Sequence, residues 1–202
     1  MTLLIAATEA ELCGQPGLVC GVGPVEAAAT TARALAIAPP AAALHVGLAG
    51  GSGLEPGTIV LGTESVFVDL HAAIPVVSRV VADASLLAAL RDALPDALAL
   101  PIATSAAVGR LRGSEPRGTG TSGNAPVDES TLVSGAEPAS LRVEGMEGFA
   151  VLRACALAGV PAVEVRAISN ELGEADRSRW EIPRALEALG AALRRMLAAL
   201  PK

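Results

Sequence analysis

Apolar and polar positions along the chain alternate between two periods. Short apolar runs at Leu3–Ala7 and Leu18–Val22 read as strands, and GVGP after the second turns the chain into an Ala-rich helix from about Val25 to Ile37. A further run, Leu44 to Leu48, ends in the turn-rich AGGSGLEPG. Thr58 to Asp69 then reads as two strands or one long bent one. A helix over about Ala84–Ala93 stops near Pro95, and LALPIATSAAVG is strand-like again. From Gly145 to Leu157 the spacing is helical, Val160 to Ile168 is a buried strand, and Ile182, Leu186, Leu189, Leu193, Met196 and Leu200 form one helical stripe. Strands alternating with helices predict an α/β architecture, with ligands beyond the carboxyl ends of the strands. With 202 residues and neither an internal repeat nor a linker, the chain reads as one domain over 1–202. Residues 113–131, poor in apolar and rich in Gly, Ser, Thr and Pro positions, read as a mobile loop within it.

Charge and composition narrow the classes of function. A formal charge of -6, with Lys and Arg scattered singly or in pairs, offers no basic stripe for nucleic acid or a membrane surface. No basic leader precedes the first apolar run, and Glu26 and Arg33 interrupt the Ala-rich stretch, so a cytoplasmic protein is expected. Cys13, Cys20 and Cys155 lack CxxC spacing and read as free thiols. Neither His45 nor His71 has a companion at ligand spacing, so each reads as structural, and no metal is expected. With only Phe67, Phe149 and Trp180 as aromatics, a ligand ring would be held mostly by aliphatic groups, sulfur and backbone.

Three stretches carry candidate chemistry. CGVGPVEAAA at 20–29 has the strand, Gly-x-Gly turn and small-residue helix of a dinucleotide fingerprint, but the next strand offers His45 where a ribose-binding acid belongs. A tight turn with close helix packing is therefore preferred to a cofactor site. GLAGGSGLEPG, with Gly50 at a strand end, lets backbone approach a ligand. In VEGMEGFA, Glu144 and Glu147 stand at a predicted helix start, where a carboxylate caps backbone donors, and that reading suits Glu144. Met146 and Glu147 have a second reading, in which they converge on a sugar while Asn170, ending the next strand, meets a base. An ionised Glu accepts from two vicinal hydroxyls, and a thioether lies well against an apolar sugar face.

In their order and separations, AATEAEL, GVGPVEAA, GLAGG, MEG and VRAISN resemble the purine nucleoside phosphorylase and nucleosidase superfamily, over residues 1 to about 70 and 143 to 200. VRAISN followed by DRSRW looks most like its futalosine-hydrolysing branch. The resemblance implies a three-layer sandwich, a central mixed and mostly parallel sheet flanked by helices, and a homo-oligomer that needs no cofactor. It implies release of hypoxanthine from futalosine in menaquinone biosynthesis. Glu11 falls on the acid that activates water, and Met146 and Glu147 on the ribose-binding pair. Asn170 stands where adenine-specific relatives carry an aspartate on the purine. Gly50 and Phe149 are assigned to the substrate, and Arg177 and Arg179 to its carboxylate tail. The chain departs from the pattern at Gly145, often polar in the family, and at Leu48, a serine in the adenine-specific enzymes. It also lacks a stacking aromatic near Ala106 and Ala107. Other readings are a methylthioadenosine or adenosylhomocysteine nucleosidase, a nucleotide-binding oxidoreductase, and a non-catalytic purine-binding protein.

Overall fold

A computed structural model describes residues 1–70, 72–107 and 141–200. The expected loop at 113–131 and His71 lie outside the described residues. In chain order the elements are β1 (Thr2–Ala6), β2 (Leu18–Val19), α1 (Pro24–Ile37), β3 (Ala42–Gly51), β4 (Ile59–Phe67), β5 (Arg79–Val81), α2 (Ala84–Ala93), β6 (Leu98–Thr104), β7 (Val143–Gly145), α3 (Gly148–Leu157), β8 (Ala162–Asn170) and α4 (Ile182–Ala199). The described residues also include 3-10 turns at Ala10–Leu12 and Arg177–Arg179.

The sheet is mixed. Strand β1 pairs in parallel with β2 and β3, β3 with β8, β4 with β6 and β6 with β7, whereas β3–β7, β4–β5 and β4–β8 are antiparallel. These pairings close β3, β7, β6, β4 and β8 into a ring, because β8 bonds both β3 and β4. The expected mixed sheet flanked by helices is present, with one correction to the three-layer sandwich: the sheet rolls into a barrel-like wall. A register shift between Gly62 and Ser65 of β4, and another between Ala49 and Gly50 of β3, supply the local bends.

Alternation along the strands sorts side chains between the faces. Leu44, Val46, Val163, Val165 and Ala167 pack with Leu86 and Leu90 of α2 and with Ala185, Leu189, Leu193 and Met196 of α4. Ile5 and Ala43 pack instead with Ala27 and Leu35 of α1 and with Val151, Leu152 and Cys155 of α3. Inside the ring, Ala49, Val60, Ile102, Val143 and Ile168 form a third cluster. Most of the stripe read on α4 serves the core as expected, but Ile182 and Leu186 are only half-buried and line a cavity.

Two short strands, β5 and β7, were not legible. Residues 143–145 form β7, between β3 and β6, and α3 begins three residues later than the periodicity suggests. Glu144 therefore sits in a strand and does not cap the helix. Thr104 of β6 supplies the cap, its hydroxyl oxygen accepting from Phe149 N at 2.7 Å.

Candidate active site

A cavity of about 300 Å³ opens where β3, β7 and β8 end, with the 3-10 turn at Ala10–Leu12 on one side and α4 on another. Its lining includes Glu11, Gly50, Glu144, Met146, Glu147, Asn170, Arg177 and Trp180. Glu11, Asn170, Met146, Glu147, Gly50 and Arg177, far apart in sequence, thus share one cavity. Phe149 and Arg179 do not line it. Phe149 stacks on Phe67 with ring centroids 5.5 Å apart, and Arg179 points outward to Glu174 at 3.1 Å with its side chain 72% exposed.

The 3-10 turn places Glu11 against the end of β1, where it is 8% exposed. Its Oε2 accepts from Thr8 N at 3.0 Å and from Thr8 Oγ1 at 2.8 Å, and its Oε1 accepts from Leu48 N at 2.9 Å. All three partners are donors, so both oxygens act as acceptors, and Oε1, with one bond, keeps a lone pair to spare. Where adenine-specific relatives are expected to use a serine, Leu48 contributes its backbone N–H to the same acid.

Glu147 ends the β7–α3 connection, 5% exposed. Its Oε1 accepts from Gly23 N at 3.0 Å, and its Oε2 lies 3.6 Å from Arg166 Nη2. Burial raises the pKa of this carboxyl above the ordinary value, with Arg166 and the Gly23 N–H opposing the shift in part. The Gly23 donor that a dinucleotide phosphate would need is therefore already engaged by a carboxylate.

Asn170 is the last residue of β8, paired with Gly50 just after the β3 irregularity. Its Oδ1 accepts from Ser169 Oγ at 2.7 Å, and its Nδ2 donates to Glu171 O at 2.9 Å. One amide hydrogen and one lone pair remain for a ligand. Gly50 makes room: a Cβ there would stand 3.1 Å from Asn170 Nδ2. Beyond Asn170, Arg177 lies over the Trp180 ring at 5.3 Å, and Trp180 Nε1 donates to Glu174 O at 3.1 Å.

Sequence reasoning missed the polar chain behind these residues. Arg166 of β8 is fully buried, its Nε donating to Glu164 Oε1 at 2.7 Å and its Nη2 to His45 Nε2 at 2.6 Å. Burial opposes its charge, but Glu164, Glu147 and Glu11 together outweigh that and raise its pKa above the ordinary value. Ser65 Oγ donates to the other oxygen of Glu164. His45 Nδ1 faces Ile5 O at 3.2 Å, so that nitrogen carries the hydrogen and Nε2 accepts from Arg166. Burial and the neighbouring guanidinium hold the His45 pKa well below its ordinary range, leaving it neutral. The available signal was two opposite charges at i and i+2 of an otherwise apolar strand, which places both on one buried face.

Among the described residues, no group of three or more His, Cys, Asp or Glu is arranged to hold a metal ion, and no helix is long and apolar enough to cross a membrane. All three cysteines are free, and burial pushes Cys20 up to about 11 and Cys155 up to about 12, well away from thiolate chemistry at neutral pH.

The fold and this cavity match known proteins. The chain belongs to the phosphorylase superfamily, whose family model matches residues 14–200. Within it, the chain is 35% identical to the futalosine hydrolase of Streptomyces coelicolor over 179 residues, spanning 85% of this chain and 74% of that protein. It is 48% identical to the futalosine hydrolase of Thermus thermophilus over 56 residues, 28% of this chain and 25% of that protein. Among solved structures, the native futalosine hydrolase of Helicobacter pylori aligns with a TM-score of 0.76 at 17% identity, covering 98% of this chain and 97% of that one. The methylthioadenosine/S-adenosylhomocysteine nucleosidase of Neisseria meningitidis, in complex with methylthio-immucillin-A, aligns with a TM-score of 0.70 at 19% identity, covering 98% and 99%.

Proposed function

We propose that this chain is an N-glycosyl hydrolase that cleaves the N-ribosidic bond of futalosine and releases hypoxanthine. The observation that carries the reading is that Glu11, Glu147 and Asn170, far apart in sequence, line one cavity. Similarity to the Streptomyces coelicolor enzyme along most of the chain supports the substrate.

Cleavage builds positive charge on the ribose and negative charge on the departing purine. Carboxylates beside the ribose favour the first, and hydrogen-bond donors at the base favour the second. Glu11 Oε1 takes a proton from water as the water oxygen bonds to C1′, and the C1′–N9 electron pair leaves with the base. Glu147, held by Gly23 N, accepts from the ribose hydroxyls, while Met146 lies against the sugar. Asn170 donates through Nδ2 to the 6-oxygen of the purine and accepts at Oδ1 from the N7–H formed as a solvent water protonates the leaving base, and Glu11 returns its proton to solvent. A neutral amide suits a 6-oxopurine because an aspartate would set negative charge against that oxygen.

Arg177, at the rim beside Trp180, takes the carboxylate of the substrate's tail. Arg177→Ala should raise KM for futalosine about tenfold while leaving inosine, which lacks the tail, unaffected. Equal KM values for futalosine in both proteins would remove Arg177 from this role.

Hydrolysis is favoured over phosphorolysis by the fate of the nearby donors. Arg166 approaches the glycine turn through Glu147, but its Nε and Nη2 are committed to Glu164 and His45, its remaining Nη1 lies beside the Glu11 carboxylate, and Gly23 N is held by Glu147. The test is to incubate the protein with futalosine, aminofutalosine, inosine and methylthioadenosine, with and without phosphate, and to identify the released base. Hypoxanthine from futalosine at a phosphate-independent rate is expected. Preferred release from methylthioadenosine would move the chain to the adenine-specific nucleosidases, and base binding without turnover would make it a purine-binding protein.

A further inference from the structure

We propose that Glu164 is the positioning residue of this site: with Ser65 it grips the Nε edge of Arg166, setting Nη2 toward Glu147 and Nη1 beside Glu11. The proposal rests on the reading of Glu11 and Glu147 given above, and it adds a residue that does not itself line the cavity.

Glu164 and Arg166 are both fully buried, and the 2.7 Å contact between them is far tighter than the 3.6 Å approach of Glu147 to the same guanidinium. Glu164 is thus the close counterion, and Glu147 is an outer one. The Glu164 carboxylate has little freedom: a Cβ on Gly148 would stand 2.1 to 2.3 Å from its Oε2, Oε1 and Cδ, so the carboxylate fills the space that glycine leaves at the start of α3. Ser65 holds one oxygen and Arg166 the other, so the group is fixed from β4, β8 and α3 together. At the neighbouring nitrogen, His45 fixes Nη2.

The remaining nitrogen, Nη1, is buried and has no hydrogen-bond partner among the described residues. It lies on the Glu11 side: a Cβ on Gly47 would stand 2.1 Å from Nη1 and 2.8 Å from Glu11 Oε1. A planar guanidinium held along one edge has no rotation left, so the grip at Nε decides where Nη1 and its charge point. An ion pair present only to neutralise buried charge needs its spare lone pairs satisfied, as Ser65 does for Glu164, but it needs no free donor on the side of a second acid.

Kinetics and a spectroscopic measurement together test this. Glu164→Ala should lower kcat about 30-fold or more while KM changes less than about threefold, in protein that remains folded by circular dichroism. Glu164→Gln keeps the reach and both hydrogen bonds, Ser65 turning from donor to acceptor, and should restore kcat at least about tenfold over the alanine variant. If Glu164→Ala does not fold, Ser65→Ala and Glu164→Asp, which weaken the same grip, should show the same fall in kcat at constant KM. Independently of turnover, the Arg166 Nε–H in proton–nitrogen correlation spectra should exchange slowly in the parent and the glutamine variant, and at least about tenfold faster in whichever loss variant folds. Unchanged kcat, or a loss that only follows the folded fraction, overturns the proposal. If the parent protein releases no base from any nucleoside, the nucleosidase reading fails by itself. The Nε–H exchange then decides the grip alone, and unaltered exchange in the loss variants overturns it.

Discussion

Glu11→Gln lowers turnover about 100-fold or more, with the nucleoside still bound. The substitution removes basicity at nearly constant volume, and the structure shows what else it changes. Glu11 accepts from Thr8 N and Oγ1 on one oxygen and from Leu48 N on the other. Glutamine has one acceptor oxygen, so its NH2 must face either the Thr8 pair or the Leu48 N–H, and one backbone donor at the cavity wall loses its partner. A stability loss of about 1–3 kcal/mol accompanies the catalytic effect. Turnover is therefore compared at a temperature where the variant is fully folded. Glu9, two residues earlier and exposed, is the control, and Glu9→Gln leaves kcat unchanged. Near-parental turnover in Glu11→Gln would return Glu11 to a structural role as the tie between the 3-10 turn and β3.

Asn170→Asp costs about 2–4 kcal/mol in transition-state binding with futalosine, or roughly 30-fold to 1000-fold in kcat/KM. On the proposed reading, the donor to the 6-oxygen is lost and a carboxylate takes its place. The local bonds sharpen the expectation. Ser169 Oγ can still donate to an aspartate oxygen, but the oxygen that replaces Nδ2 faces the Glu171 carbonyl, an acceptor against an acceptor. The side chain is thus pushed off its present setting as well as recharged. Aminofutalosine loses much less, because its 6-amino group donates to the new carboxylate, and the ratio of the two kcat/KM values moves toward the amine. Equal losses on both substrates would mean that Asn170 only ends the strand, leaving the nucleosidase reading on Glu11 and Glu147.

Local pattern alone determined most of the elements. The α4 stripe, the Ala-rich α1 behind its glycine turn and the helix before Pro95 are signals of period and capping that short segments carry, and they reappear at nearly the expected residues. Motif order likewise marks Glu11, Met146, Glu147 and Asn170 through the resemblance, and the fold brings them to one cavity. The misses share one physical origin. At three residues, β7 is too short for any periodicity, and it exists because β3 and β6 offer it hydrogen bonds from both sides. The closing of the ring depends on β8 finding β4 as well as β3, a choice among non-local partners that no local pattern states. Phe149 and Arg179, two residues after Glu147 and Arg177, turn away because positions two apart on a helix or 3-10 turn point in different directions. Glu164, Arg166, His45 and Ser65 are the clearest case. Each is an ordinary polar residue in its own segment, and only the rolled sheet, which buries all four together, makes each the partner that the others require.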